Sequence, residues 1–218
     1  IAGAGSNSTA EAIRLTAAAR EAGADGALLI SPYYNKPTQE GIFKHYKTIA
    51  TSVDLPIIVY NIPGRTASNI APETFARLAE VKNIAGVKEA SGSMDQLSDI
   101  VRLCGDRLAI LSGDDALTLP MIALGAKGVI TTTGNVAPRE MRDLVAAAMG
   151  GDFARSREIH YRLLPLIRAL FLETNPIPVK QALALMGKCT NELRMPLTPM
   201  SQGTADRLRA AMKEFGLI

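Results

Sequence analysis

One lysine stands where packing alone would not put it. Residues Ile84-Ala85-Gly86-Val87-Lys88-Glu89-Ala90-Ser91-Gly92 read as a short apolar strand with Lys88 near its C-terminal end and small residues after it. An ammonium is hard to desolvate. A dry pocket instead favours the neutral amine, which can attack a carbonyl and form a Schiff base. The alternative is a strand-end lysine that snorkels to the surface. Tyr60 closes another apolar run, Leu55-Pro56-Ile57-Ile58-Val59-Tyr60, one strand–helix unit earlier. A phenol beside a Schiff-base lysine can carry protons to and from the carbinolamine and the enamine; otherwise Tyr60 is a rim aromatic. Arg65 follows in the adjoining loop, as a planar cation that can fork onto a substrate carboxylate or simply sit in solvent.

These side chains need a scaffold that brings strand ends to one height. Ser8 and Glu11 have capping-box spacing, so a helix starts there and Gly23 ends it. Gly26-Ala27-Leu28-Leu29-Ile30 is wholly apolar, as expected of a parallel strand buried on both faces. A helix over 38–52, the strand ending at Tyr60 and a loop over 61–66 follow. Pro72 suits the first turn of a helix to about residue 81. After the Lys88 strand, Ser93 and Gln96 make a second capping box. Strands over 107–112 and 129–133 flank another helix, and Pro138 opens the next.

Strand and helix alternate at roughly 25–30 residues, which predicts βα units and a parallel sheet. Beyond Gly150-Gly151 only helical periodicity remains, over 153–172, 179–186 and 201–215. The joints are proline-rich: Asn175-Pro176-Ile177-Pro178 and Met195-Pro196-Leu197-Thr198-Pro199. A doubly wound sheet would offer a glycine-rich phosphate loop, of which Gly3-Ala4-Gly5 is a fragment. A (β/α)8 TIM barrel needs eight strands and places its working residues at their C-terminal ends, where Tyr60, Lys88 and Gly113 fall. The expectation is therefore α/β: residues 1–150 form strands 3–8 of a partial barrel, and residues 151–218 a three-helix appendage. Ile1-Ala2 reads as the end of a strand, so this chain is expected to lack the first two βα units of a longer polypeptide.

Composition narrows the function. The 218 residues are 47% hydrophobic with a formal charge of +3, and no Lys/Arg run supports nucleic-acid binding. Two cysteines, Cys104 and Cys189, form no framework and suggest reduced thiols in the cytoplasm. Two histidines leave little for a His-based metal site. No apolar run spans a membrane, and no signal peptide is visible.

Several ordered motifs resemble those of the dihydrodipicolinate synthase family, within the pyruvate-dependent class I aldolases that include N-acetylneuraminate lyase. They are Ser31-Pro32-Tyr33-Tyr34-Asn35-Lys36-Pro37, Tyr60-Asn61-Ile62-Pro63-Gly64-Arg65-Thr66, the Lys88 run itself, Leu111-Ser112-Gly113-Asp114-Asp115 and Asn175-Pro176-Ile177-Pro178-Val179-Lys180. Arg65-Thr66 favours the synthase over the sialic-acid lyase. The resemblance implies that Lys88 forms the Schiff base with pyruvate and Tyr60 donates and accepts protons. Tyr34 would complete a neighbouring subunit's relay across a tight dimer. Arg65 would hold the carboxylate of aspartate semialdehyde, with Gly113 and Ile130 lining the pyruvate site. No metal or organic cofactor is implied, and the implied assembly is a tetramer of tight dimers. The family's Thr-Thr-Gly-Glu motif has no match here. Asn7, Glu11 and Tyr33 match positions where feedback-sensitive members bind L-lysine; for Glu11 the helix cap is a compatible reading. Lys180, in the appendage, reads as structural. Two alternatives stay open: another pyruvate aldolase acting on a sugar acid, and an inactive fragment or binding module.

Overall fold

The computed structural model describes residues 1–218 and contains one six-stranded parallel sheet in the order β1-β2-β3-β4-β5-β6. The strands are β1 (Ala2–Gly3), β2 (Ala27–Ile30), β3 (Ile57–Asn61), β4 (Ile84–Glu89), β5 (Ala109–Ser112) and β6 (Gly128–Val129). Each strand pairs with the next in sequence, as right-handed βα crossovers produce. Between them run α1 (Thr9–Glu21), α2 (Gln39–Ser52), α3 (Pro63–Thr66), α4 (Pro72–Leu78), α5 (Met94–Cys104) and α6 (Thr118–Ala123). Then come α7 (Pro138–Met149), α8 (Phe153–Ala169), α9 (Ile177–Leu185) and α10 (Gln202–Phe215).

The chain forms two compact units, residues 1–114 with 123–130, and residues 115–122 with 131–218. This division differs from the expected one at 150/151. The reason lies in the second unit: α7 packs on α8, and Ser156 Oγ of α8 donates to the Leu144 carbonyl of α7 at 3.0 Å. Helix α7 is thus bound to the helices that follow it. Within the same unit, Asp115 is 1% exposed. Its Oδ2 accepts from the Thr132 and Thr133 amides at 3.1 and 2.6 Å and from the Thr133 hydroxyl at 2.6 Å.

In the first unit the sheet's side chains sort into two faces. Ile57, Val59 and Asn61 of β3 are buried, while Ile58 and Tyr60 are partly open. Residues paired across parallel strands share a face. Tyr60 pairs with Lys88, and Asn61 with Glu89. Lys88 pairs in turn with Leu111, and Glu89 with Ser112. The buried row is covered by helices whose inner residues include Ile42, Tyr46 and Ile49 of α2, Phe75 of α4, and Leu97 and Ile100 of α5.

Two expected segments differ. The loop over 61–66 contains the single turn α3, because Pro63 at its first position is preset for helical φ. The strand expected over 129–133 stops at Val129, and a 3-10 turn begins at Thr133. The chain turns here instead: the Gly134 amide donates to Thr131 Oγ1 at 2.9 Å, and the approach is so close that a Cβ at Gly134 would meet Thr131 Cγ2 at 2.4 Å.

Candidate active site

Strand β4 is apolar through Val87, then carries Lys88 at its open end, half-buried. The neighbouring strand β3 carries Tyr60 one residue before its end, in register with Lys88. The amine lies over the phenol ring, 4.1 Å from its centroid. The site is less dry than the sequence suggested. Only small residues follow the strand ends here, Ala90 and Ser91 after β4 and Gly113 after β5.

Gly113 lies beside Lys88. A Cβ there would sit 2.7 Å from the Ala90 Cβ and 3.1 Å from Lys88 Cε. Its own amide donates to the Glu89 carbonyl at 2.7 Å, which holds the loop after β5 against the end of β4. Ile130 sits one residue past β6, where its amide donates to the Ser112 carbonyl at 2.9 Å. Gly113 and Ile130 thus lie at the same strand ends as Lys88 and Tyr60.

Arg65, in α3, is exposed. It is near enough to Tyr60 that its charge favours the phenolate, while the larger effect, burial, pushes the Tyr60 hydroxyl above the ordinary tyrosine value. The phenol is therefore an O–H at neutral pH, able to donate a proton. Tyr34 is 89% exposed and adopts a left-handed backbone with φ 71°. That posture turns a large aromatic into solvent.

Asn7 and Tyr33 meet: Asn7 Nδ2 donates to the Tyr33 carbonyl at 3.1 Å, and Asn35 Nδ2 returns to the Asn7 carbonyl at 3.0 Å. Glu11 is not joined to them. Its carboxylate accepts from Ser6 Oγ at 2.6 Å and from Arg14 at 3.4 Å. The first capping box is half-formed for the same reason: Ser8 caps the Glu11 amide, but the Glu11 side chain is spent on Ser6. Lys180 lies in α9 with Pro176, Glu192, Leu193, Arg194 and Leu197 around a separate cavity of about 470 Å³. No group of His, Cys, Asp and Glu side chains is disposed to hold a metal ion, and no helix is long and apolar enough to cross a membrane.

Sequence reasoning passed over a polar cluster on the other face of β3 and β4. Asn61 is fully buried and Glu89 is 2% exposed. Asn61 Nδ2 donates to Glu89 Oε2 at 3.0 Å and to Asn69 Oδ1 at 2.9 Å. Glu89 Oε1 accepts from the Ser91 amide at 2.7 Å and from Gln96 Nε2 at 3.4 Å. The signal was present: a glutamate next to the lysine in an apolar strand must face the packed side.

A parallel α/β sheet that registers a lysine and a tyrosine at its C-terminal end presents the groups that a Schiff-base enzyme uses. The sequence model of the dihydrodipicolinate synthetase family matches residues 1–215. The chain is 58% identical to 4-hydroxy-tetrahydrodipicolinate synthase of Syntrophobacter fumaroxidans, covering 100% of this chain and 75% of that protein. Dihydrodipicolinate synthase of Aquifex aeolicus superposes with a TM-score of 0.96 at 54% identity, over 99% of this chain and 74% of that one. The chloride-inhibited Acinetobacter baumannii enzyme, solved with pyruvate, gives 0.97 at 45% identity, over 99% of this chain and 74% of that one. The Cyanidioschyzon merolae enzyme, solved with lysine bound, gives 0.96 at 43% identity, over 99% and 74%. This chain belongs to the dihydrodipicolinate synthetase family.

Proposed function

We propose that this protein condenses pyruvate with L-aspartate 4-semialdehyde, through a Schiff base on Lys88, to give 4-hydroxy-tetrahydrodipicolinate in lysine and diaminopimelate biosynthesis. The observation that carries the reading is the Lys88 amine lying 4.1 Å from the centre of the Tyr60 ring, at paired strand ends. Family membership and the relatives' shared activity support it.

In this reading the neutral Lys88 amine adds to the pyruvate ketone, and the Tyr60 hydroxyl gives a proton to the departing oxygen. Water leaves and an iminium forms. Loss of a methyl proton gives the enamine, whose carbon attacks the aldehyde. The amine of the semialdehyde then displaces Lys88 and closes the ring, so the lysine is returned. Arg65 offers a guanidinium fork to the semialdehyde carboxylate. Gly113 leaves room for pyruvate beside Lys88, with Ile130 at the next strand end. The exposed Tyr34 completes a partner subunit's proton relay in a tight dimer, two of which make a tetramer. The six strands correspond to part of a (β/α)8 barrel followed by C-terminal helices, in a cytoplasmic enzyme. Asn7, Glu11 and Tyr33 take part in feedback binding of L-lysine, and absence of inhibition at millimolar lysine removes that part.

Borohydride reduction in the presence of pyruvate tests the reading in the full-length protein. Peptide mapping is expected to find the reduced adduct on Lys88, and none in Lys88→Ala. An unmodified Lys88, or turnover of sialic acid or keto-deoxy sugar acids in preference to the semialdehyde, overturns it.

A further inference from the structure

The buried cluster behind the active strands does a job that packing does not require. Lys88 and Tyr60 share one face of the sheet, and Glu89 and Asn61, the next residue in each strand, share the other. A carboxylate with almost no solvent is costly unless both of its oxygens meet donors. Glu89 meets three: Asn61 Nδ2, the Ser91 amide and Gln96 Nε2. Its oxygens only accept, so it dictates how its neighbours point. Asn61 has no freedom to flip. Its Oδ1 accepts from the Ile70 amide at 3.1 Å, which leaves Nδ2 for Glu89 and Asn69. The backbone repeats the bond, with the Ala90 amide donating to the Asn61 carbonyl at 2.9 Å. The second capping box is half-formed because of this cluster. Ser93 Oγ accepts the Gln96 amide at 3.0 Å, but the Gln96 side chain goes to Glu89 and Asn69 instead of back to Ser93.

We propose that Glu89, acting through Asn61, is a positioning residue that sets the height of the Lys88 amine against the Tyr60 phenol. The proposal rests on the Schiff-base reading above. A polar lock one residue beyond each reacting side chain prevents the ends of β3 and β4 from sliding or fraying, where the ladder itself is running out. Apolar side chains of the same volume would fill the space but would not fix that register.

The test is a polarity swap in the full-length protein. In Glu89→Gln the amide turns a donor toward Asn61 Nδ2 or the Ser91 amide, so one donor pair must separate. The expected result is a fall in kcat of roughly 10- to 100-fold, because displacements near 1 Å carry such costs. The pyruvate KM should stay within about threefold, and borohydride trapping on Lys88 should slow in step with kcat. Equal kcat in Glu89→Gln and wild type overturns the proposal. So does a kcat loss that follows only the folded fraction in circular dichroism. Should Glu89→Gln not fold, Asn69→Ala removes an acceptor at the exposed end of the cluster. A threefold or larger loss of kcat at constant KM then supports the proposal, and an unchanged kcat overturns it. Wild-type protein that forms no adduct on Lys88 would instead mark a failure of the Schiff-base reading, before any variant is compared.

Discussion

Gly113 is small because the end of β4 comes too close to leave room for a side chain. A methyl group there would meet the Ala90 Cβ, which is tied to the backbone, at 2.7 Å, and Lys88 Cε at 3.1 Å. The lysine can turn aside, but the strand end cannot. Gly113→Ala is therefore expected to lower kcat at least tenfold, at a stability cost of about 1–3 kcal/mol. Steady-state kinetics and a thermal melt separate the two effects. Tyr60 offers a second measurement at this scale. Burial raises its pKa and the Arg65 charge opposes the rise. Removing that charge can only raise it further. In ultraviolet titration, the Tyr60 phenolate (wild type minus Tyr60→Phe) is expected above the ordinary tyrosine range, and Arg65→Ala should move it to still higher pH. A downward movement would contradict the geometry.

Between the first two helices lies a histidine that cannot take a proton without cost. His45 of α2 is 5% exposed, and its Nδ1 faces Thr9 Oγ1 of α1 at 2.9 Å. Its Nε2 is buried with no hydrogen-bond partner. Burial lowers its pKa from 6.5 to about 4. The folded state therefore binds this proton less readily than the unfolded chain, so stability is full above pH 6.5 and falls as the pH drops toward 4. The loss at pH 4 is roughly 3 kcal/mol for a shift of this size. Urea denaturation across this range is expected to show the decline, and His45→Leu should flatten that part of it.

At the scale of the assembly, Tyr34 is the informative residue. It is held outward by a backbone conformation that large side chains rarely adopt, and nine-tenths of it is open. If its work is done in a neighbouring subunit, two defective chains should complement each other. Tyr34→Phe and Lys88→Ala, each nearly inactive alone, are expected to recover roughly a quarter of wild-type activity when dissociated and reassociated together, since half of random dimers are hybrids with one complete site. No recovery would place Tyr34 at its own subunit's site, or at none.

Much of this was legible in the chain itself. Wholly apolar runs bounded by glycine and proline mark parallel strands, because burial on both faces removes the polar alternation. Caps such as Ser8 and Ser93 mark helix starts, because orphan amides need an acceptor. Lys88 and Tyr60 stood out because each ends such a run, where a polar group has no packing purpose. What remained hidden depended on partners distant in sequence. The side chains of Glu11 and Gln96 fit reciprocal caps equally well, and only the folded positions of Ser6, Asn69 and Glu89 drew them elsewhere. The last strand ended early because Thr131 closes a turn onto Gly134. Local pattern determines which elements form and which strand ends carry reactive groups; register, and with it the alignment of the amine with the phenol and of Glu89 with Asn61, was decided by the tertiary fold, since hydrogen bonds between separate strands have no counterpart in the order of residues along one.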